Sequence, residues 1–195
     1  MDRIHRMSRG RKALLSLLLV GAVGTVAGIG TFSAFSATTV NAGNVFDAGS
    51  VSISDNDANS AMYNITDAAP GEGVTACIQV TYTGSLDSTV ALYGSAVGAI
   101  GTYVDLTVEK GTGMAGFPDC TGFVSEATVY TGELGGFAST HTNFANGVVT
   151  NPGAQTEWSQ GDVLVYRFTL TLQDDDAAIG LQSGTHSFTW EAQNV

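Results

Sequence analysis

The chain has 195 residues, of which 44% are hydrophobic, enough for one domain with a real core. Beyond residue 12 it carries 17 acidic side chains against only Lys110 and Arg167, a net charge of −15. Such an acidic segment excludes nucleic acid as a partner, because phosphate binding needs lysine and arginine. It also disfavours binding to anionic membrane surfaces.

The N-terminal part has the composition of a signal peptide. Residues 1–12 contain five basic side chains, and residues 13–30 are apolar and uncharged before small residues follow. This order predicts export by the general secretory route, with cleavage after Ser36, or after Ser33, on the residues alone. The competing interpretation is a retained membrane anchor, because a run of about eighteen apolar residues just spans a bilayer. The membrane would then be contacted only through this uncleaved segment.

Residues 35–46 come next and contain no charge. A flexible linker between membrane and domain has this composition. An extended strand that pairs with another chain has it too, because few charges then have to be desolvated. The residues alone leave both interpretations open.

The remaining chain, 47–195, shows the period-two alternation of half-buried strands. Clear alternation occurs in 77–83, 103–110, 163–172 and 186–193, and weaker candidates are 47–54, 61–66, 88–97 and 124–131. Residues 133–147 lack alternation and predict a short helix or a long loop. Alternation that places apolar residues on only one face of a strand favours antiparallel sheets whose other face is exposed to solvent. Seven to nine strands of this kind predict an all-β, antiparallel two-sheet sandwich, most simply a jelly roll, preceded by an N-terminal signal helix.

Only two cysteines are present, Cys77 and Cys120. An even number in an exported chain predicts one disulfide, worth about 4 kcal/mol in the chain-entropy model. The alternative is two separate buried thiols. The sequence has no Cys-x-x-Cys pair that would indicate a redox motif or a zinc ribbon.

The sequence offers no recognisable catalytic or metal-binding motif. His141 and His186 do not belong to a His-Glu-x-x-His pattern, and neither a nucleophile elbow nor a phosphate-binding loop occurs. The acidic runs 55–59 and 174–176 are better interpreted as solvated loops than as calcium sites. We therefore expect no enzymatic activity, no metal and no cofactor.

Two isolated features remain. Asn64-Ile65-Thr66 matches the acceptor pattern for N-glycosylation, a triplet that also arises by chance. Trp158 lies outside the clear strands, and it is the candidate for an exposed aromatic of a binding surface.

Three stretches together resemble one family. They are "GTFSAFSATTVNAGNVFDAGSVSIS" after the signal segment, "APGEGVTACIQVTYTGSLDSTVALY", and the late "SFTWEAQN". In this order they are similar to the TasA/camelysin family of secreted proteins. The resemblance covers both ends and the first half, and leaves residues 111–160 unmatched.

The resemblance implies a jelly-roll domain, secretion to the cell surface or extracellular matrix, and removal of the signal peptide by a dedicated signal peptidase. It places cleavage between Ala34 and Phe35, so the expected divisions are a signal peptide (1–34), a donor strand or linker (35–46) and the β-sandwich (47–195). Camelysin itself is described as a surface metalloprotease, an activity for which this sequence has no zinc motif.

Fibre-forming members of that family polymerise head to tail by donor-strand exchange. The resemblance therefore implies a structural protein whose N-terminal segment completes the sheet of the next subunit. The small and apolar residues that would enter the groove are Phe35, Ala37, Val40, Ala42, Gly43, Val45 and Phe46. The alternatives are a surface metalloprotease of the camelysin type and a monomeric binding module displayed on the membrane.

Overall fold

The structure, a computed structural model, describes Gly10, Ala13, Leu14, Val45 and residues 47–195. The chain divides into two units, Met1–Phe46 and Asp47–Val195. All strands described below belong to the second unit. Among the described residues, no helix is both long and apolar enough to cross a membrane.

Residues 47–195 form two antiparallel β-sheets that pack together. Sheet A has the strand order β1-β2-β7-β4-β5, and sheet B has the order β6-β3-β8. The strands are β1 (Ile53–Asp55), β2 (Gly73–Tyr82), β3 (Ser88–Gly94), β4 (Val104–Thr112), β5 (Val124–Glu133), β6 (Val148–Val149), β7 (Val163–Leu172) and β8 (Phe188–Asn194). The expected mostly-β, two-sheet architecture is confirmed.

The alternation predicts the central strands well. The segment 163–172 forms β7 with the expected bounds, and β2, β4 and β8 lie within a few residues of their predicted ranges. Of the weaker candidates, 88–97 and 124–131 correspond to β3 and β5. The prediction is wrong for 61–66, which is irregular, and for most of 47–54, where only Ile53 and Ser54 belong to a strand.

One α-helix, α1 (Leu134–Thr140), follows β5 directly. It lies in the segment that the sequence leaves as helix or loop. Its buried residues, Leu134, Phe137 and Ala138, are spaced three and four apart and therefore share one helical face. A short 3-10 turn, Phe144–Asn146, follows and is capped by the Asn143 side chain.

The core lies between the two sheets and is filled by the residues that alternate inward. Sheet A contributes Leu164, Tyr166, Phe168 and Leu170 from β7 alone, each no more than 4% exposed. Val90 and Leu92 of β3 face them from sheet B. At about 1.5–3 kcal/mol for each fully buried large side chain, this layer is the main stabilising term of the fold.

A long loop, residues 113–123, lies against the outer face of sheet A. The disulfide between Cys77 and Cys120 attaches it to β2, where the two Cα atoms are 5.1 Å apart. The Cys77 N–H also donates to the Pro118 carbonyl at 2.9 Å. The predicted disulfide is confirmed, and because such bonds persist in oxidising compartments it indicates an extracytoplasmic location.

Candidate assembly edge

A groove lies at the side of the sandwich where β1 of sheet A faces β8 of sheet B. It has a volume of about 170 Å³. Its walls are Ile53, Ser54 and Asp55 of β1, Val80 of β2, and Phe188, Thr189 and Trp190 of β8. Partial burial, together with the neighbouring Asp57, raises the pKa of Asp55 above its ordinary value, although a backbone hydrogen bond from Asp57 opposes the shift. The groove is therefore lined by both apolar and polar side chains, with one carboxyl group on its β1 wall.

The backbone of β8 is paired on one side only. Its register with β3 runs without a shift from Gly94↔Phe188 to Ser88↔Asn194. Just beyond the two ends, the Ser95 N–H donates to the Ser187 carbonyl at 2.9 Å, and the Val195 N–H donates to the Asp87 carbonyl at 3.4 Å. In an antiparallel ladder the bonding direction alternates along the strand, so the odd-numbered residues of β8 bond to β3.

The N–H and C=O groups of the even-numbered residues therefore point away from β3. Among them are the groups of Phe188, Trp190 and Ala192, which have no hydrogen-bond partner within residues 47–195. The side chains of the same residues face the core. Strand β8 thus combines an anchored inner side with an open outer edge.

Aromatic packing holds β8 in place. The Phe188 ring lies 4.5 Å from the Phe168 ring, centroid to centroid, and the Trp190 ring lies 5.2 Å from that of Tyr166. Burial raises the pKa of Tyr166 well above its ordinary value, and its hydroxyl is paired with Thr150 inside the core. The edge therefore belongs to a strand whose side chains are already fixed by packing. This fixed packing lowers the entropic cost of adding a partner strand.

The other sheet edges have features that discourage pairing with another chain. Strand β5 has two register shifts against β4, between Val108 and Glu109 and between Lys110 and Gly111. Such bulges bend an edge and discourage pairing with another chain. Strand β1 is three residues long and β6 only two. Among the strands at the ends of the two sheets in the described part of the chain, β8 is the one that is both long and regular in register.

One end of this region is closed by a hydrogen bond between two distant segments. The Tyr63 hydroxyl lies 2.6 Å from Nε2 of His186, which is two residues before the first residue of β8. Burial raises the pKa of Tyr63 well above its ordinary value, so its hydroxyl stays protonated. The other ring nitrogen, Nδ1, lies 3.3 Å from the Gly184 carbonyl.

The second histidine has different surroundings. His141 Nδ1 lies 2.6 Å from the Asn146 carbonyl, and its ring packs edge-on against Tyr130. Across residues 47–195 and the few described before them, no three His, Cys, Asp or Glu side chains are grouped so that they could hold a metal ion. The acidic runs serve local turns instead: Asp57 accepts from the Asn59 N–H, and Asp175 accepts from the Ala177 N–H.

The Trp158 prediction is wrong. Its side chain is fully buried, and its indole N–H donates to the Thr150 carbonyl at 2.6 Å. Its backbone pairs with Ser88 in both directions. Trp158 thus extends sheet B beside β3 and fills the core, because burying a large aromatic ring outweighs leaving it on a loop.

Most of the predicted donor segment lies outside the described residues. This applies to Phe35, Ala37, Val40, Ala42, Gly43 and Phe46, and to the cleavage residues Ala34 and Phe35. Val45 is described and is 78% exposed. Strand β8 was predicted from the sequence only as a strand, because the alternation that reveals a strand carries no information about its neighbours.

No known protein-family model matches this sequence, and no curated protein matches it significantly.

Proposed function

We propose that this protein is a secreted structural protein of the cell surface or extracellular matrix whose subunits join head to tail. Residues 35–46 of one subunit add a strand to the outer edge of β8 in the next. The observation that carries this proposal is the seven-residue edge of β8, regular in register and unpaired within residues 47–195. An edge of that kind is normally avoided, because it pairs with other chains.

The chemistry of the two partners is complementary. The acceptor edge offers outward N–H and C=O groups at Phe188, Trp190 and Ala192, and beside them a groove whose lining includes the apolar side chains of Ile53 and Val80. The segment 35–46 is uncharged and supplies Val40, Val45 and Phe46 as apolar side chains. Main-chain hydrogen bonds would provide affinity, and the apolar side chains in the groove would fix the register.

Strand donation of this kind is a heterologous contact, since the donor and the acceptor are different surfaces. Repeated copies therefore give filaments, not closed dimers. Removal of residues 1–34 after Ala34 would leave Phe35 at the free end of the donor. By this cleavage, signal peptidase would release the donor strand for pairing.

The jelly roll is the finer fold assignment that goes with this proposal. Strands β2, β4 and β7 lie in sheet A, whereas β3, β6 and β8 lie in sheet B, so the chain repeatedly crosses between the sheets. Jelly rolls have such crossing connections and eight strands in two sheets. The unequal division into five and three strands leaves room for a further strand beside β8.

Two substitutions at one residue test the edge. Ala192→Pro removes an outward N–H of β8 without removing a hydrogen bond to β3, whereas Ala192→Val keeps the N–H and adds similar bulk. We expect protein 35–195 and its Ala192→Val variant to form filaments under the electron microscope. We expect Ala192→Pro and the truncated protein 47–195 to stay monomeric.

A folding defect is checked by thermal unfolding, which should give similar midpoints for the Pro and Val variants. Filaments from the truncated protein, or equal assembly by both Ala192 variants, would contradict strand donation to β8. A wild-type protein that stays monomeric at high concentration would instead favour a monomeric binding module.

A further inference from the structure

The sequence Asn64-Ile65-Thr66 is the only Asn-x-Ser/Thr triplet among the nine asparagines of the chain. Its middle residue is not proline, so it meets the requirement of an N-glycosylation acceptor. The triplet lies in the connection between β1 and β2, which has no regular secondary structure from residue 63 to residue 66. The triplet is not part of β8, but it directly follows Tyr63, which bonds to His186 at one end of the assembly edge.

All three residues of the triplet are exposed. Neither their side chains nor their backbone groups form a hydrogen bond to any other described residue. A transferase must bind the acceptor as an extended segment and reach the carboxamide nitrogen of asparagine. No hydrogen bond within the described domain has to be broken for a transferase to bind this triplet.

Several other asparagines of the domain differ in this respect. The Asn143 side chain accepts from the Ala145 N–H at 3.0 Å, and the Asn56 side chain accepts from the Gln79 N–H at 2.9 Å. Asn151 donates to the Thr156 carbonyl at 3.0 Å. These side chains stabilise turns and strand ends, whereas the carboxamide of Asn64 forms no hydrogen bond to a described residue.

The triplet is also held at a fixed place on the surface. Tyr63, directly before it, is partly buried and bonded to His186. On the other side, the Ala69 N–H donates to the Glu72 side chain at 2.9 Å and begins the turn into β2. The loop therefore presents Asn64 outward from a segment that is anchored at both ends.

We propose that Asn64 is an N-glycosylation site. The donor is an oligosaccharide carried on a polyprenyl pyrophosphate. The carboxamide nitrogen of Asn64 attacks the anomeric carbon, an N-glycosidic bond forms, and the lipid pyrophosphate leaves while the nitrogen loses a proton. The Thr66 hydroxyl is the recognition group of the triplet. The disulfide indicates the compartment in which such transfer occurs.

The modification is tested by mass spectrometry of protein recovered from the surface of the cells that make it. We expect the peptide containing Asn64 to carry a sugar mass, and Asn64→Gln and Thr66→Ala to remove it. Thr66→Ser keeps the hydroxyl and should retain the modification. An unmodified Asn64 peptide in the recovered wild-type protein overturns the proposal.

A second measurement asks whether the folded domain itself is the acceptor. The purified oxidised protein is incubated with an oligosaccharyltransferase and a polyprenyl-pyrophosphate oligosaccharide. Addition of one glycan to the oxidised protein, and none to Asn64→Gln, supports an acceptor loop exposed by the fold. Modification of the reduced, urea-unfolded chain alone would show that the fold hides the triplet, and would overturn the structural argument.

Discussion

At the scale of single residues, the outer face of sheet A is organised around Arg167, one of only two basic side chains beyond residue 12. Its Nε donates to Glu109 at 2.7 Å, and its guanidinium carbon lies 4.6 Å from the centre of the Phe123 ring. The pair is partly exposed, at 32% for Arg167 and 16% for Glu109. Burial acts to raise the pKa of Glu109, but the hydrogen bonds and the charge of Arg167 outweigh it and lower the pKa overall.

This shift predicts a pH-dependent contribution to stability. A carboxyl group whose pKa is lowered by folding stabilises the protein above its unfolded pKa of about 4.3, and the contribution is lost as the pH falls through the folded value. We expect Glu109→Gln to reduce the free energy of unfolding by about 1 kcal/mol at pH 7, after allowance for solvent screening, and by less near pH 3. Urea unfolding at the two pH values measures this difference.

The matched control is Glu126→Gln, which removes the same charge from an exposed position of β5. An equal loss in both variants at pH 7 would mean that overall charge, and not the contact with Arg167, is responsible.

At the scale of elements, the loop 113–123 depends on a few attachments to the sheet beneath it. The disulfide holds Cys120 to β2, the Pro118 carbonyl accepts from the Cys77 N–H, and Phe123 packs under Arg167. Cys77 and Val165 are buried although both alternate toward the outer face of sheet A. The loop therefore acts as a third layer that covers part of this face.

Removing the disulfide should weaken that layer and the whole domain. We expect the double variant Cys77→Ala/Cys120→Ala to lose about 2–4 kcal/mol of unfolding free energy, chiefly because the unfolded chain regains the freedom of a loop with a sequence separation of 43 residues. Chemical unfolding measures the loss. Wild-type protein in reducing agent should give the same midpoint as the variant, and an unchanged midpoint in both would contradict the expectation.

At the scale of the whole molecule, the charge is distributed very unevenly, which bears on the proposed assembly. Residues 47–195 carry 17 acidic and two basic side chains, whereas 35–46 carries none. In the proposed filament, neighbouring subunits would therefore repel each other through their domains, while the donor strand would add no charge to the contact. Repulsion between exposed charges is screened within about 10 Å at 0.1 M salt.

We expect filament assembly at pH 7 to accelerate as the sodium chloride concentration rises from low values to about 0.5 M, because screening reduces repulsion and leaves strand pairing largely unaffected. Light scattering of protein 35–195 follows the lag time. Slower assembly at high salt would indicate that attraction between opposite charges joins the subunits. The truncated protein 47–195, measured in parallel, separates assembly from salting-out.

The sequence by itself determined the strand-rich class, the central strands and the cysteine pair, because these depend on local alternation and on the presence of two thiols. In "HSFTWEAQ" it even assigned Phe188 and Trp190 to one face. It could not show that Trp158 is buried, or that β6 exists with two residues. It also could not identify the edge of β8 as open. These features arise from pairing between segments far apart in the chain, and only the tertiary structure decides which strand has a neighbour on each side.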